Sequence, residues 1–401
     1  MTTPTTRQPP LSGLKVIELG QLIAGPFATK MLGEFGADVI KIEPPGTGDP
    51  LRKWRMIEDG TSLWWHVQSR NKRSVSLDLR TAEGQDLVRR LAADADVLVE
   101  NFRPGTLEQW GLSYDSLSAA NPGLIMVRVS GYGQTGPYRD KPGFGVIGEA
   151  MGGLRYLTGQ PGEPSVRVGV SIGDSLSALY AVIGTLLALQ ERSLSGKGQE
   201  IDVALYESVF AMMESLLPEY DASGQVREPS GSALPGITPS NAYRTRDGDY
   251  VLIAGNGDSI FKRLMTVIGH PELAEDPDLA HNDGRSRRAE EIDAAIEAWS
   301  QRHGRDEILS ALDEARVPAG YPYTAADIAH DPHYLAREMI QSFTRPDGRP
   351  LKVPGVLPKL SATPGRLGHG GPALGAHTEE VLDELGIDEA TRTKLRDAGI
   401  I

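Results

Sequence analysis

The chain has 401 residues, 39% hydrophobic and 24% charged, which is enough for two domains or for one large domain with an insertion. Its net charge of −13 argues against nucleic-acid or anionic-membrane partners, because both require a basic surface. The lack of cysteine excludes disulfides, thiolate metal ligands and a cysteine nucleophile. The first ten residues have no apolar signal core, so we expect a short disordered arm and a cytoplasmic protein.

The first part of the chain alternates predicted strands with predicted helices. The predicted strands cover 15–19, 38–43, 75–79, 96–99 and 124–129. One predicted helix begins at Pro26, since proline suits a first helical turn, and another covers 82–93. This alternation predicts a doubly wound α/β sheet, whose ligands bind beyond the carboxyl ends of the strands.

The loop GYGQTG at 131–136 has the glycine spacing of a dinucleotide-binding fingerprint. Its context is wrong for that function, because Pro137 and Pro142 follow where a helix should begin. A glycine-rich turn near a ligand is the favoured interpretation, and a nucleotide cofactor is the alternative.

The segment 166–192 reads as a short strand, a turn at Gly173-Asp174 and a long apolar helix. From Leu176 to Leu189 apolar or small residues occupy all faces, which predicts a helix buried all round but too short to span a membrane. Asp174 has two compatible interpretations at this point. It is either a helix N-cap or a nucleophile that the helix N-terminus keeps ionised.

Beyond a predicted strand at 199–203 and a helix at 206–217, the composition changes. Residues 222–240 are rich in proline, glycine and serine and indicate a linker or mobile loop. A smaller α+β segment follows, with strands at 242–244 and 250–254 and several helices. His330, His333 and His377 are isolated from one another, so we expect no metal site.

Several ordered motifs resemble the class III CoA-transferases, the group that includes formyl-CoA transferase and is related to α-methylacyl-CoA racemase. They include LSGLKVIELGQLIAGPFATKMLGEFGADVIKIEPPGTGD, NKRSVSLDL, VENFRPGTLEQWGL, GYGQTGPY, GVSIGDSLSALYAVIG and GPALGAHTEEVLDELG. The resemblance covers nearly the whole chain.

The resemblance implies a Rossmann-like large domain with a parallel sheet and an inserted smaller α+β domain. Residues 1–220 and 331–401 would form the large domain, and 221–330 the small domain with its linkers. It also implies an interlocked homodimer in which two chains are threaded through each other. A CoA thioester would be the substrate, with no permanently bound cofactor.

The family's catalytic aspartate corresponds to Asp174 in this sequence. The residues that correspond to its CoA-contacting segments are Ile23, Ala24, Leu77, Asp78, Arg80, Asn101, Phe102 and Arg103. A Tyr-Glu pair of formyl-CoA transferase is replaced by Phe144-Gly145, which are the expected substrate contacts. Loss of that carboxylate leaves room for an anionic substrate tail, and Arg52 and Arg155 are the candidates to bind it.

The motifs GFGVIGEAMGGLRYLTG and RVGVSIGD look closer to family members that use succinyl-CoA with malate-, citramalate- or glutarate-type acids. The predicted function is therefore CoA transfer from succinyl-CoA to a dicarboxylic acid through an aspartyl anhydride and an aspartyl thioester. One alternative is a racemase, although the segment 139–153 lacks the histidine that such relatives use. The other is a non-catalytic CoA-binding protein.

Overall fold

A computed structural model of the chain describes residues 7–345 and 347–401. Most of the expected N-terminal arm, residues 1–6, therefore lies outside the described residues. Two compact units are present: the described parts of 1–155, 168–223 and 333–401 form the first, and 156–167 with 224–332 form the second.

The secondary structure is numbered in chain order. The strands are β1 (Lys15–Glu18), β2 (Asp38–Glu43), β3 (Ile57–Glu58), β4 (Thr61–Ser62), β5 (Lys72–Ser76), β6 (Val97–Glu100), β7 (Ile125–Ser130), β8 (Glu200–Ala204), β9 (Ser240–Arg244), β10 (Tyr250–Ala254), β11 (Ala319–Gly320), β12 (Ile340–Thr344) and β13 (Pro350–Pro354). The helices are α1 (Ala24–Glu34), α2 (Leu63–Gln68), α3 (Ala82–Ala92), α4 (Thr106–Gln109), α5 (Tyr114–Ala120), α6 (Gly145–Met151), α7 (Leu154–Leu157), α8 (Ile172–Ser195), α9 (Leu205–Phe210), α10 (Leu216–Ser223), α11 (Asp258–Val267), α12 (Pro271–Ala274), α13 (Asn282–Arg287), α14 (Ala289–Ser300), α15 (Arg305–Glu314), α16 (Ala325–His330), α17 (Pro332–Ala336), α18 (Thr378–Glu384) and α19 (Glu389–Asp397).

The first unit is built on a six-stranded parallel sheet with the order β5-β2-β1-β6-β7-β8. This confirms the predicted α/β class with a central parallel sheet. The strand predicted at 75–79 instead begins at Lys72, because its polar first residues pair with β2. The Lys72 side chain is buried at the strand start by an ion pair to Glu18, which periodicity alone does not reveal.

Both faces of this sheet are buried, as is usual for parallel sheets. Successive residues of a strand point to opposite faces, so Val16 of β1 joins one hydrophobic core and Ile17 joins the other. The neighbouring strand β6 repeats the alternation with Val97 and Leu98. Because the six strands are parallel, their carboxyl ends all lie at the same edge of the sheet.

Helix α8 packs against β7, β8 and α1 through small residues. Its buried positions are Gly173, Ser177, Ala178, Ala181, Thr185 and Ala188. Large side chains such as Leu187 and Leu194 point away and are 66% and 78% exposed, so the prediction of burial on all faces is wrong for the single chain. With 24 residues the helix is also long and apolar enough to cross a membrane, contrary to the expectation from sequence, although it packs on the sheet as a core helix does.

The second unit combines an antiparallel sheet of order β11-β10-β9 with helices α11 to α16. Its core includes Phe261, Leu264 and Ile296. Arg285 is fully buried, and its guanidinium donates hydrogen bonds to the carbonyl oxygens of Thr238 at 3.1 Å and Leu279 at 3.0 Å. The strands predicted at 242–244 and 250–254 are both present.

A cluster of buried charges lies at the carboxyl end of β1. The Glu18 carboxylate accepts hydrogen bonds from Lys41 Nζ at 2.6 Å and from the Thr29 hydroxyl at 2.5 Å, and it pairs with Lys72 Nζ at 2.8 Å. Burial by itself raises the pKa of this carboxyl, but the two ammonium groups outweigh burial and lower the pKa of Glu18 to about 2. Glu18 is therefore ionised inside the fold.

Replacing Glu18 tests the stabilising role of this cluster. Glu18→Gln should lower the free energy of unfolding by about 3 kcal/mol, because it leaves two buried ammonium groups without their shared carboxylate. Chemical denaturation at fixed protein concentration measures the change. Asp94→Asn removes the partner of an exposed ion pair to Lys15 and should leave stability nearly unchanged.

The wild type and Glu18→Gln also provide a pH test. The Glu18 pKa falls from about 4.5 in the unfolded chain to about 2 in the folded chain, so its contribution is complete above pH 4.5 and is lost as the pH falls toward 2. The difference in unfolding free energy between wild type and Glu18→Gln should therefore narrow over this range. A difference that stays constant would contradict the assignment.

Candidate active site

Asp174 lies in the first turn of α8 and not ahead of it. The helix begins at Ile172, and its N-cap is Ser171, whose side chain makes no capping hydrogen bond. The N-cap interpretation of Asp174 is therefore wrong, and the short strand predicted between Val166 and the turn at Gly173 is absent as well. A carboxylate in the first turn is still stabilised by the positive end of the helix dipole.

The Asp174 carboxylate packs directly against the backbone of Gly145, the first residue of α6. A Cβ at Gly145 would overlap a carboxylate oxygen and the carboxyl carbon of Asp174. Gly173 allows a similarly close approach, because its own Cβ would lie 3.1 Å from the Gly145 carbonyl oxygen. Two glycines therefore let α6 and α8 come together around the carboxylate.

Asp174 faces a cavity of about 350 Å³, here called the Asp174 cavity. It lies beyond the carboxyl ends of the parallel strands, where α/β sheets bind their ligands. Of the residues predicted from sequence, it is lined by Ile23, Ala24, Asn101, Phe102, Arg103 and Phe144. Phe144 is 66% exposed, so its ring is available to a ligand.

A neighbouring cavity of about 440 Å³, the strand-end cavity, is lined by the other predicted CoA contacts, Leu77, Asp78 and Arg80. It shares Gln21 and Phe102 with the Asp174 cavity, so the two cavities are adjacent. The structure therefore brings all the predicted CoA-contacting residues to the walls of two adjacent cavities, one of which Asp174 also lines. Their binding role stays a prediction.

Sequence reasoning missed two cations of the Asp174 cavity, Arg139 and Lys141. Both lie in the segment 131–144 between β7 and α6, so the strand-end rule applied to this whole segment could have identified them. Together with Arg103 they give the cavity three cationic side chains. Asp174 is the single acid among the described residues that line it.

Arg80 of the strand-end cavity is paired within its own loop. Its guanidinium donates to the Asp78 carboxylate at 2.9 and 2.7 Å, and these hydrogen bonds lower the pKa of Asp78 below its usual value. The Arg80 side chain is 80% exposed, so one face of the ion pair stays open to solvent.

The loop after β1 is clamped from two sides. Asn101 accepts a hydrogen bond from the Gln21 N–H at 2.8 Å and donates one to the Gln21 carbonyl oxygen at 2.8 Å. Asp49 accepts the N–H of Leu22 at 3.1 Å, which holds Leu22 in the left-handed region with φ of 64°. The Asn101 side chain thus positions the loop, and its amide is already engaged.

The two arginines suggested for the substrate carboxylate occupy different surroundings. Arg52 is 6% exposed, donates to both Glu43 oxygens at 2.7 and 2.8 Å and to the Pro372 carbonyl oxygen at 3.1 Å, and stacks on Trp65. These contacts occupy its guanidinium and argue against a substrate role. Arg155 lines neither cavity, although its buried Nη1 has no hydrogen-bond partner in the described chain.

The GYGQTG loop forms an irregular turn. No helix follows it until α6 begins at Gly145, so the structure does not support the dinucleotide interpretation. Gly131 lies against Gly143 so closely that a Cβ on either would meet the other backbone at 2.9 Å, and both glycines line the Asp174 cavity. Within 7–345 and 347–401, no three His, Asp or Glu side chains are grouped as metal ligands.

Comparison with known families decides the identity of this fold. The sequence model of CoA-transferase family III matches residues 11–378. The chain belongs to CoA-transferase family III. The resemblance to class III CoA-transferases is thereby confirmed, and the protein is an enzyme whose substrates are CoA thioesters.

Several characterised proteins are similar to this family III member. The succinyl-CoA–D-citramalate CoA-transferase of Chloroflexus aurantiacus is 51% identical over 98% of both chains. The succinate–glutarate CoA-transferase of Agrobacterium fabrum is 38% identical over 98% of this chain and 100% of its own. A CaiB/BaiF family protein from Brucella suis, solved by crystallography, has 38% identity and a TM-score of 0.82, covering 94% of this chain and 100% of its own.

The close packing of Gly145 on Asp174 gives a direct test of the site. Gly145→Ala should lower kcat by about 100-fold or more, because the new methyl group displaces the carboxylate from its position. Gly123→Ala is the matched control, since a Cβ there makes only ordinary contacts, the nearest at 3.5 Å. Initial rates of CoA transfer measure the effect, and calorimetry shows whether CoA still binds. Equal rates for the two variants would contradict the geometry.

Proposed function

We propose that this family III CoA-transferase moves CoA from succinyl-CoA to a small dicarboxylic acid, with Asp174 as the covalent nucleophile. The observation that carries the proposal is that Asp174 lines a cavity together with predicted CoA contacts, and that this cavity adjoins the strand-end cavity, which is lined by the remaining ones. The names of its relatives, which act on succinyl-CoA with citramalate, malate or glutarate, support the substrate class.

In the proposal, CoA occupies both of these adjacent cavities. Its nucleotide end lies in the strand-end cavity beside Arg80, and its pantetheine arm passes Phe102 to bring the thioester to Asp174. Arg103, Arg139 and Lys141 supply positive charge to the anionic ligand. These three charges suit the anionic acid substrates, whereas Arg80 is the single cation among the described residues that line the strand-end cavity.

The proposed reaction consists of two half-reactions. A carboxylate oxygen of Asp174 attacks the thioester carbonyl, the C–S bond breaks, and an anhydride and a CoA thiolate form. The thiolate attacks the aspartyl carbonyl, which releases the donor acid and leaves CoA as an aspartyl thioester. The acceptor carboxylate attacks this thioester, the C–S bond breaks, and a second anhydride and a CoA thiolate form. The thiolate then attacks the acceptor carbonyl of the anhydride, which gives the new acyl-CoA and regenerates the Asp174 carboxylate.

This chemistry needs an ionised carboxylate. The first turn of α8 supplies the positive end of a helix dipole, and the three cations of the Asp174 cavity favour the same charge state. Gly145 in place of a larger residue keeps the carboxylate accessible without adding a second negative charge. The surrounding positive charge and the lack of an acidic side chain at position 145 both reduce the electrostatic repulsion between the Asp174 carboxylate and an anionic substrate.

A racemase is the alternative function on this family's fold. It would need a base to remove the α-proton of the acyl group. The described residues that line the Asp174 cavity include no histidine, which favours transfer over racemisation. A non-catalytic CoA-binding protein, the third alternative, would show no turnover in the assay below.

Substitution of Asp174 tests the proposed mechanism. Asp174→Ala and Asp174→Asn should each reduce CoA transfer by about 10³-fold or more, because neither side chain can form the anhydride. CoA binding, measured by calorimetry, should persist. Asp115→Ala removes an exposed acid from the first turn of α5 and serves as the matched control. Substantial activity in Asp174→Ala would exclude the covalent route.

We further propose an interlocked homodimer in which 221–330 form a small domain inserted into the large one. The proposal is supported by the large apolar side chains that α8 exposes, including Ile183, Leu186 and Leu187. Soluble chains usually cover so apolar a helix face, and a second copy of this chain is the occupant that the family resemblance implies.

The mass of the protein in solution tests the proposed dimer. Light scattering at micromolar protein should give a dimer mass, because each chain alone would leave the apolar face of α8 in water. Leu187→Glu should weaken the assembly, whereas Glu191→Gln, which alters a polar position on the same helix, should not. A stable folded monomer of the wild type would contradict the proposal.

A further inference from the structure

A third cavity, of about 490 Å³, lies beside the first turn of α8 and is here called the Arg55 cavity. Ser171 and Ser175 line it, and they flank Asp174 in sequence. Ile23 lines both this cavity and the Asp174 cavity. The helix turn that carries the proposed nucleophile therefore borders two neighbouring cavities.

The charge of the Arg55 cavity is unusual for a chain with a net charge of −13. Two cations, Arg55 and Lys352, line it, and none of the described lining residues is acidic. Neither side chain makes a hydrogen bond or an ion pair with another described residue. Cations that gather around a cavity without protein carboxylates favour an anionic ligand.

The remaining walls are largely apolar. Phe27, Leu63 and Val67 come from α1 and α2, and Leu351 precedes Lys352 on β13. A space with apolar walls and cationic groups suits a short methylene chain that ends in a carboxylate. A monocarboxylic chain of the same length would leave the cations without a partner.

The backbone and the stacking of Arg55 restrict its side chain. Arg55 has a φ of 58°, a left-handed conformation that is uncommon for residues other than glycine. Its guanidinium lies 4.7 Å from the centre of the Trp64 ring. Strained backbone of this kind is concentrated at ligand-binding positions, where the surrounding structure holds it in place.

We propose that the Arg55 cavity binds the distal carboxylate of the dicarboxylic acyl group, with Arg55 and Lys352 as the specificity-determining residues. The inference rests on the proposed function and adds the residues that distinguish dicarboxylates from monocarboxylates. The reacting carboxyl group lies at Asp174, and the methylene chain extends past Ile23 into the apolar part of the cavity. Arg55 thereby replaces Arg52, whose guanidinium is occupied by Glu43.

The test compares glutarate with valerate, two five-carbon acids that differ in the distal carboxylate, as acceptors from succinyl-CoA. In a two-half-reaction enzyme, kcat/KM for the acceptor reports only the second half-reaction, so the shared donor does not affect the ratio. Arg55→Gln should lower kcat/KM for glutarate by about 10- to 100-fold, the effect of losing a charge-assisted hydrogen bond, and leave valerate nearly unchanged. Lys352→Gln should act in the same direction, and Arg55→Lys should restore part of the loss.

Lys53→Gln is the matched control, because Lys53 donates to the Gly60 carbonyl oxygen at 3.0 Å and does not line the cavity. A glutarate-to-valerate ratio that is unchanged in both Arg55→Gln and Lys352→Gln overturns the inference but leaves the proposed function standing. Equal losses for both acids also overturn it, since they indicate a structural role. A wild type without preference for glutarate would contradict the dicarboxylate function itself.

Discussion

The buried carboxylate of Glu18 connects the centre of the sheet to the edge where the candidate active site lies. It binds Lys41 on β2 and Lys72 on β5, and Lys41 also pairs with Asp49 at 2.9 Å. Asp49 in turn accepts the N–H of Leu22, whose left-handed backbone costs about 1–2 kcal/mol for a non-glycine residue. A chain of charged contacts therefore fixes the loop that borders the Asp174 cavity.

A second constraint is steric and acts on Asp174, the proposed nucleophile. The Asp174 carboxylate occupies the space that any side chain at position 145 would fill. The first turn of α8 and the start of α6 can therefore pack around this carboxylate only because residue 145 is glycine. Three cations in the Asp174 cavity and two in the Arg55 cavity surround this point with positive charge in an acidic protein. Such a distribution suits a reaction in which every substrate and product is an anion.

Much of the fold and part of the site follow from the sequence. Strand periodicity predicts the parallel sheet, and the family motifs identify Asp174 and the expected CoA-contacting residues that the structure brings to the walls of two adjacent cavities. Three features could not be predicted, because each depends on tertiary contacts. The Lys72 side chain is buried at the start of β5 because it forms an ion pair with Glu18, and the large residues of α8 point outward because small ones face the sheet. The sequence does not show that the Arg52 guanidinium is occupied by Glu43 and is therefore not available to a substrate carboxylate.

The central claim is that Asp174 becomes covalently acylated during transfer, and trapping the intermediate tests it most directly. Enzyme incubated with succinyl-CoA, quenched with hydroxylamine and digested should yield a peptide whose mass shift maps to Asp174, because hydroxylamine converts an aspartyl thioester or anhydride into a hydroxamate. The signal should disappear with free CoA in place of succinyl-CoA. A hydroxamate on another residue, or none under conditions of active turnover, would contradict the account.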